Sequence, residues 1–303
     1  MTAHPPGFTR RVLTAGAWLL GSNLVSQGLR LVSSLVLTRL LLPEAFGLVA
    51  AVQTLYFALV MFSDLGVWQS VVTNPRGNAA TFLGTAMTVQ LARGALLALV
   101  VLAIAAGLQW CLLYAPFAPG TVYADARLPP MVAAFALCAL LQGAESMHLA
   151  TAQRELHLRL LTRLELLSQL AGTLVTIGLA LATRSVWSLV VGTLVATLTR
   201  TVLSHLLLPG PPYRMCWDKC CAIELVSFGK WIFLSSIIGF AASNGEKLIL
   251  GGTLPTAAFG TFSIAALLLA AISGLIGNLN AHLVFPSLSE ALRSGEVAAQ
   301  RLY

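Results

Sequence analysis

Long apolar stretches alternate with short polar interruptions along the whole chain. The alternation predicts helices near residues 12–38, 45–72, 81–112, 130–152, 163–183, 186–208, 226–250 and 257–285. Each has about the ~20 residues that a helix needs to cross a hydrocarbon core. None has the two-residue period of a barrel strand. The expected fold is all-α, a polytopic membrane protein of about eight transmembrane helices. The interruptions are rich in Pro and Gly, as at Asn74-Pro-Arg-Gly-Asn78, Ala115-Pro-Phe-Ala-Pro-Gly120 and Pro209-Gly-Pro-Pro212, residues that end helices and begin turns.

One interruption recurs. Arg39-Leu-Leu-Leu-Pro-Glu-Ala-Phe-Gly47 separates the first two stretches, and a degraded copy, Gly251-Gly-Thr-Leu-Pro-Thr-Ala-Ala-Phe-Gly260, separates the last two. A tryptophan stands 28 residues before the phenylalanine in both, Trp18 before Phe46 and Trp231 before Phe259. The chain therefore reads as carrying an internal repeat of a helical hairpin.

Composition agrees with a bilayer setting. Hydrophobic residues make up 57% of the chain, charged residues 10%, and the mean hydropathy is +0.85, against about 25% charged residues in soluble proteins. Eleven acids and 18 bases cannot cover a core of this size with a solvated shell. The first stretch follows Arg10 and Arg11 as a secretory signal would. Its length, its Gln27 and Arg30, and the lack of a small-residue cleavage site favour a retained helix.

Basic residues in the interruptions set the expected orientation. Arg10, Arg11, Arg76, Arg154, Arg159, Arg163, Arg214, Lys219, Arg293 and Arg301 fall on one side, and Arg39, Arg127, Arg184 and Lys247 on the other. This predicts a cytoplasmic N-terminus and accounts for much of the net charge of +7. No basic patch is interleaved with stacking aromatics, so nucleic acid is not an expected partner. Cys216, Cys220 and Cys221 share one loop, but their spacing matches no common zinc pattern, and no metal or cofactor is expected. No zinc-protease, phosphate-loop or nucleophile-elbow motif occurs, so the chain does not read as an enzyme.

Within the apolar stretches, polar residues at helical spacing mark faces turned toward protein or water. On the first helix Ser22, Asn23, Ser26, Gln27, Arg30, Ser33 and Ser34 follow one side. A guanidinium there costs at least ~2.5 kcal/mol on the most lenient insertion scale. Shorter stripes hold Gln142, Glu145, Ser146 and Gln153, then Glu165, Gln169, Thr173 and Thr176, then Thr193, Thr197, Arg200 and Ser204. Arg93 and Asp64 supply opposite charges able to pair. Glu165, Arg200, His205 and Lys230 read as groups near the cytosolic headgroups.

The stretches from Trp18 through Gly47 and Phe62-Ser-Asp-Leu-Gly66, with Phe228-Gly-Lys-Trp-Ile232 and Asn244-Gly-Glu-Lys-Leu-Ile-Leu-Gly251, resemble bacterial polysaccharide and O-antigen flippases of the Wzx type. These belong to the superfamily of multidrug, oligosaccharidyl-lipid and polysaccharide exporters. The resemblance implies two six-helix lobes around a hydrated cavity in the bacterial inner membrane. Its implied cargo is an undecaprenyl-pyrophosphate-linked oligosaccharide, moved by alternating access for lipopolysaccharide or exopolysaccharide export beside polymerase and assembly proteins. Arg30 and Arg93 would then meet the anionic group and Asn23 and Gln27 the sugar, with Asp64, Glu145 and Glu246 as candidates for ion coupling. Glu246 stands where many relatives carry an aspartate.

On this reading residues 1–11 form a cytosolic N-terminus, 12–208 the first lobe, 209–225 a cytosolic linker, and 226–303 the start of a second lobe. That second lobe is expected to be short of its later helices. Two other functions fit the same residues. One is a cation-coupled multidrug-type antiporter, which would favour carboxylates over arginines. The other is a non-transporting membrane scaffold or truncated remnant.

Overall fold

Leu42 is extended and Pro43 opens the second helix, so the first hairpin turns where the repeated motif predicts it. Proline has no N–H to lose at that position and its fixed φ suits the first turn. The computed structural model describes residues 8–114, 117–155, 157–210 and 212–279, with the backbone alone for 8–20, 22–23, 226–232, 271–272 and 274–279. Helix α1 spans Phe8–Leu40, α2 Pro43–Phe62, α3 Val67–Thr73, α4 Ala80–Tyr114 and α5 Leu128–Gly143. They are followed by α6 His148–Arg154, α7 Leu158–Thr183, α8 Trp187–Leu206, α9 Lys219–Thr253 and α10 Thr256–Leu279. The protein is all-α and polytopic.

Among the described residues α2, α4, α7 and α8 are each long and apolar enough to cross a membrane. Helices α5 and α6 add a fifth span if taken together across a 58° bend. Over its described stretch Thr256–Ala270, α10 is a shorter apolar helix. Arg293 and Arg301, counted above for orientation, lie outside the described residues, as does the last part of the predicted eighth helix.

Two predicted helices are broken, each by local chemistry. The stretch 45–72 divides into α2 and α3 because Gly66 takes a left-handed φ of 62°, which glycine adopts without a Cβ penalty. Its N–H donates to Asp64 Oδ1 at 2.9 Å. The stretch 130–152 divides at Ala144–Met147. There Ser146 N–H donates to Ser204 Oγ at 3.1 Å and Met147 N–H to Tyr213 Oη at 3.0 Å. Irregular backbone at membrane depth is tolerated where protein groups satisfy it in this way. A third difference is the start of α9 at Lys219, within the stretch expected to be linker. Asp218 caps it, accepting Cys221 N–H at 3.0 Å.

Without a hydrophobic drive between helices in lipid, close packing depends on small residues. Gly94 on α4 and Gly143 on α5 lie so close that a Cβ on the first would stand 2.6 Å from the Cα of the second. The largest core runs through α2, α4, α5 and α8 and includes Leu48, Val52, Phe135, Val190 and Phe259. Leu96, Leu99, Leu102 and Leu113 of α4 are exposed on the outside, as a lipid-facing surface requires.

The two copies of the hairpin motif meet. Helices α2 and α10 pack together, with Gly47 against Gly260 and against the Thr256 carbonyl. The loop before α5 is drawn onto the same place. Thr256 N–H donates to Gly120 O at 3.0 Å, and Tyr123 Oη donates to Leu248 O at 3.1 Å. We call this end of the bundle the turn face. At the opposite, linker face, Glu224 of α9 receives Arg76 Nη2 and Asn74 Nδ2, both at 2.7 Å.

Candidate functional site

A cleft of ≈ 450 Å³ lies where α2, α5 and α8 face α9 and α10. Its polar lining includes Gln53 and Tyr56 on α2, Gln142 on α5, Thr193 and Thr197 on α8, and Asn244 and Lys247 on α9. Helical periodicity explains the arrangement, since Thr193 and Thr197, and Asn244 and Lys247, are spaced to share a face. Tyr56 Oη donates to Gln142 Oε1 at 3.0 Å, and the Tyr56 ring meets Phe135 edge-on at 5.3 Å. The hydroxyls of Thr193 and Thr197 donate back to Leu189 O and Thr193 O, each at 2.9 Å. They present their remaining lone pairs as acceptors.

Lys247 is the cation of this cleft. Its ammonium is half-buried and donates to Asn244 Oδ1 at 3.0 Å. It makes no ion pair among the described residues. An ammonium on a helix of a membrane protein without a carboxylate partner is costly and chemically suited to an anion. In the orientation count Lys247 stood among the basic residues of the interruptions. The structure places it on α9, within the stretch 226–250 read as helix and six residues before the helix ends at Thr253.

A second polar group lies at the bend between α5 and α6. Arg200 Nε stands 3.0 Å from Glu145 Oε1, and its Nη1 stands 2.5 Å from Glu165 Oε2. One guanidinium thus serves two carboxylates, a fork geometry that lysine could not reproduce. Arg200 and Glu165, read from sequence as headgroup-level residues, belong to this network. They line a cavity of ≈ 320 Å³ together with Ser26, Trp68 and Gln153. Trp68 Nε1 donates to Gln153 Oε1 at 2.5 Å, and Ser26 Oγ donates to Gln169 Oε1 at 2.5 Å, tying α1 to α7.

The sequence-predicted residues are thus distributed rather than gathered. Arg93 reaches back to the end of α2, with Nη2 donating to Val60 O at 2.8 Å and Nε to Ser63 Oγ at 3.2 Å. Asp64 stands 3.9 Å from Arg93 Nη1. Arg30 is exposed on α1, whose packing partners are α7 and α10. Gln27 is half-buried, and its Oε1 is buried without a hydrogen-bond partner among the described residues. The side chain of Asn23 lies outside the described residues. Glu246 is exposed beside Lys247, and Glu145 is held by Arg200. The cleft residues Gln53, Tyr56 and Lys247 were not singled out from sequence. The available signal was the pairing of Asn244 with Lys247 at helical spacing on a helix that opens the second repeat.

The helical hairpins and their apolar spans define the class as an all-α polytopic membrane protein. Residues 36–302 match the family model described as polysaccharide biosynthesis protein, and the chain belongs to that family. No curated protein and no solved structure matches it. Family membership sets its role in polysaccharide biosynthesis.

Proposed function

We propose that this protein moves a lipid-linked oligosaccharide across the bacterial inner membrane, with the cleft between α2, α5, α8 and α9, α10 as the route of the glycan. The observation that carries this reading is the ammonium of Lys247, without an ion-pair partner among the described residues, set among amide, hydroxyl and phenol groups. A polyprenyl chain can stay in lipid. The pyrophosphate needs a cation, and the sugars need hydrogen-bonding side chains. Lys247 supplies the first, and Gln53, Gln142 and Asn244 the second. Arg30, exposed on α1 beside α10, is a second cation for the anionic head, with Gln27 and Asn23 on the same helix. In this reading the turn face lies outside the cell and the linker face in the cytosol.

Of the three carboxylates considered for ion coupling, Glu145 is carried forward. It sits in a helix break, shares Arg200 with Glu165, and can change charge without unfolding a regular helix.

The test is complementation of a strain lacking the gene. Lys247→Arg is expected to restore surface polysaccharide. Lys247→Met, present in the membrane at the same level, is expected to leave lipid-linked repeat units on the cytosolic leaflet. Full export by Lys247→Met would remove the basis of this function, and gradient-driven efflux of a cationic dye from vesicles would replace it with an antiporter.

A further inference from the structure

A separate polar cavity of ≈ 370 Å³ opens at the turn face, between the start of α2, the end of the loop before α5 and the turn from α7 to α8. Glu44, Arg127, Thr183, Arg184, Ser185 and Trp187 contribute to its walls. Arg127 is already engaged, since Nη2 stands 2.7 Å from Asp125 Oδ2 and 3.9 Å from Glu44 Oε2. Arg184 is not. Its guanidinium is exposed and has no hydrogen bond or ion pair among the described residues.

The backbone under Arg184 is also unusual. It ends α7 with φ 48° and ψ 31°, the only positive φ at a non-glycine among the described residues. Helices commonly end on a residue in this conformation, and that residue is usually glycine. An arginine there serves the turn less well than glycine would, and it places a guanidinium at the wall of the cavity. Trp187 follows three residues later and keeps 39% of its surface exposed. Among the described residues the Ser185 hydroxyl accepts the Trp187 N–H at 3.4 Å and donates to no group, so its own hydrogen is available.

We infer that this cavity is a subsite for an acidic sugar of the delivered glycan. The sugar carboxylate pairs with the Arg184 fork. The ring face lies on the Trp187 indole, and sugar hydroxyls bond to Glu44 and Ser185. The local charges fit an anion, because Arg184 is the one arginine of the wall without a carboxylate partner. The inference rests on the outward placement of the turn face and on glycan as the cargo, both from the function proposed above.

The experiment uses the full chain in lipid nanodiscs and needs no transport. Binding is measured for a tetrasaccharide of alternating glucuronic acid and N-acetylglucosamine, for its carboxyl-reduced form, and for inorganic pyrophosphate. The acidic probe is expected to bind about 10-fold more tightly than the reduced one. Arg184→Gly is expected to abolish that preference while the melting temperature holds or rises, because glycine suits the local φ. Arg184→Asn, which also tolerates this conformation, is the second variant and should behave alike. Trp187→Ala should weaken both sugars equally. Equal affinity for acidic and reduced sugar, unchanged binding in the Arg184 variants, or binding of pyrophosphate alone would each overturn the subsite. Acidic-sugar binding that persists in Lys247→Met protein separates a failure of the transport reading from a failure of this one.

Discussion

Gly47 of α2 and Gly260 of α10 occupy equivalent places in the two copies of the hairpin motif, and they pack against each other. A Cβ built on Gly47 would stand 3.0 Å from Gly260 N, and one built on Gly260 would stand 3.1 Å from Gly47 N. Both would also meet backbone oxygens, of Thr256 and Pro43 respectively, which cannot swing aside as a side chain would. Gly47→Ala or Gly260→Ala is therefore expected to cost about 1–3 kcal/mol, the usual penalty of overpacking. A thermal unfolding scan of the purified protein checks it. An unchanged melting temperature in both variants would mean that the two hairpins are not closely packed.

The Arg200 network predicts an order of effects. Removing the guanidinium by Arg200→Ala leaves Glu145, whose side chain is 13% exposed, without its counter-charge. Breaking a buried pair from one side costs ~3 kcal/mol or more, and partial exposure of Arg200 lowers this to about 2 kcal/mol. Glu165→Gln, at a carboxylate 56% exposed, should cost less than about 1 kcal/mol. Chemical unfolding of the two variants side by side gives the comparison, and an equal loss in both would contradict it.

Arg93 separates a binding role from a fastening one. Its guanidinium closes the C-terminal end of α2 through Val60 O and Ser63 Oγ, where the last carbonyls of a helix lack partners. Arg93→Ala is expected to lower stability by about 1–3 kcal/mol. Export should be lost only in proportion to the folded protein remaining. If Arg93→Ala keeps its melting temperature and still loses export, then Arg93 meets the cargo directly.

Acid should loosen the loop before α5. The hydrogen bond from the Arg127 side chain holds Asp125 below the usual carboxylate range, outweighing the opposing effect of burial. A depressed folded value means that the stabilisation is complete above the unfolded value of ~3.9. It is lost as pH falls through the folded value. Asp125→Asn should therefore melt below the parent at pH 5–8 by the equivalent of about 0.5–1 kcal/mol, with the gap closing toward pH 2. A gap that stays constant across that range would show that the ion pair is not its source.

The helices were legible because their apolar stretches are long and their turns hold Pro and Gly, and the repeat was legible in the shared Leu-Pro and Phe-Gly. The breaks at Gly66 and Ala144–Met147 were not. Apolar periodicity runs straight through both, and what stabilises them comes from distant residues such as Ser204 and Tyr213. The pairing of Arg93 with Asp64 could be anticipated from two opposite charges in a sparse set. Lys247 falls within the stretch 226–250 read as helix, but nothing in its linear position tells that it faces a cleft. The gathering of Gln53, Tyr56 and Gln142 around it depends on how α2 and α5 are rotated, which only tertiary packing fixes.

Helix α9 is 35 residues long and, at ~1.5 Å per residue, about 50 Å from end to end. Its partner in the hairpin rests on the first repeat at the glycine contact near one extremity, while Glu224 is tethered near the other. Between these two points α9 and α10 both lie against α2, with Phe240 of α9 meeting Phe57 and Phe62. A tilt of ~10° at the glycines would move the far end by about 9 Å, so any such rotation has to break the Arg76–Glu224 pair and part Phe240 from α2.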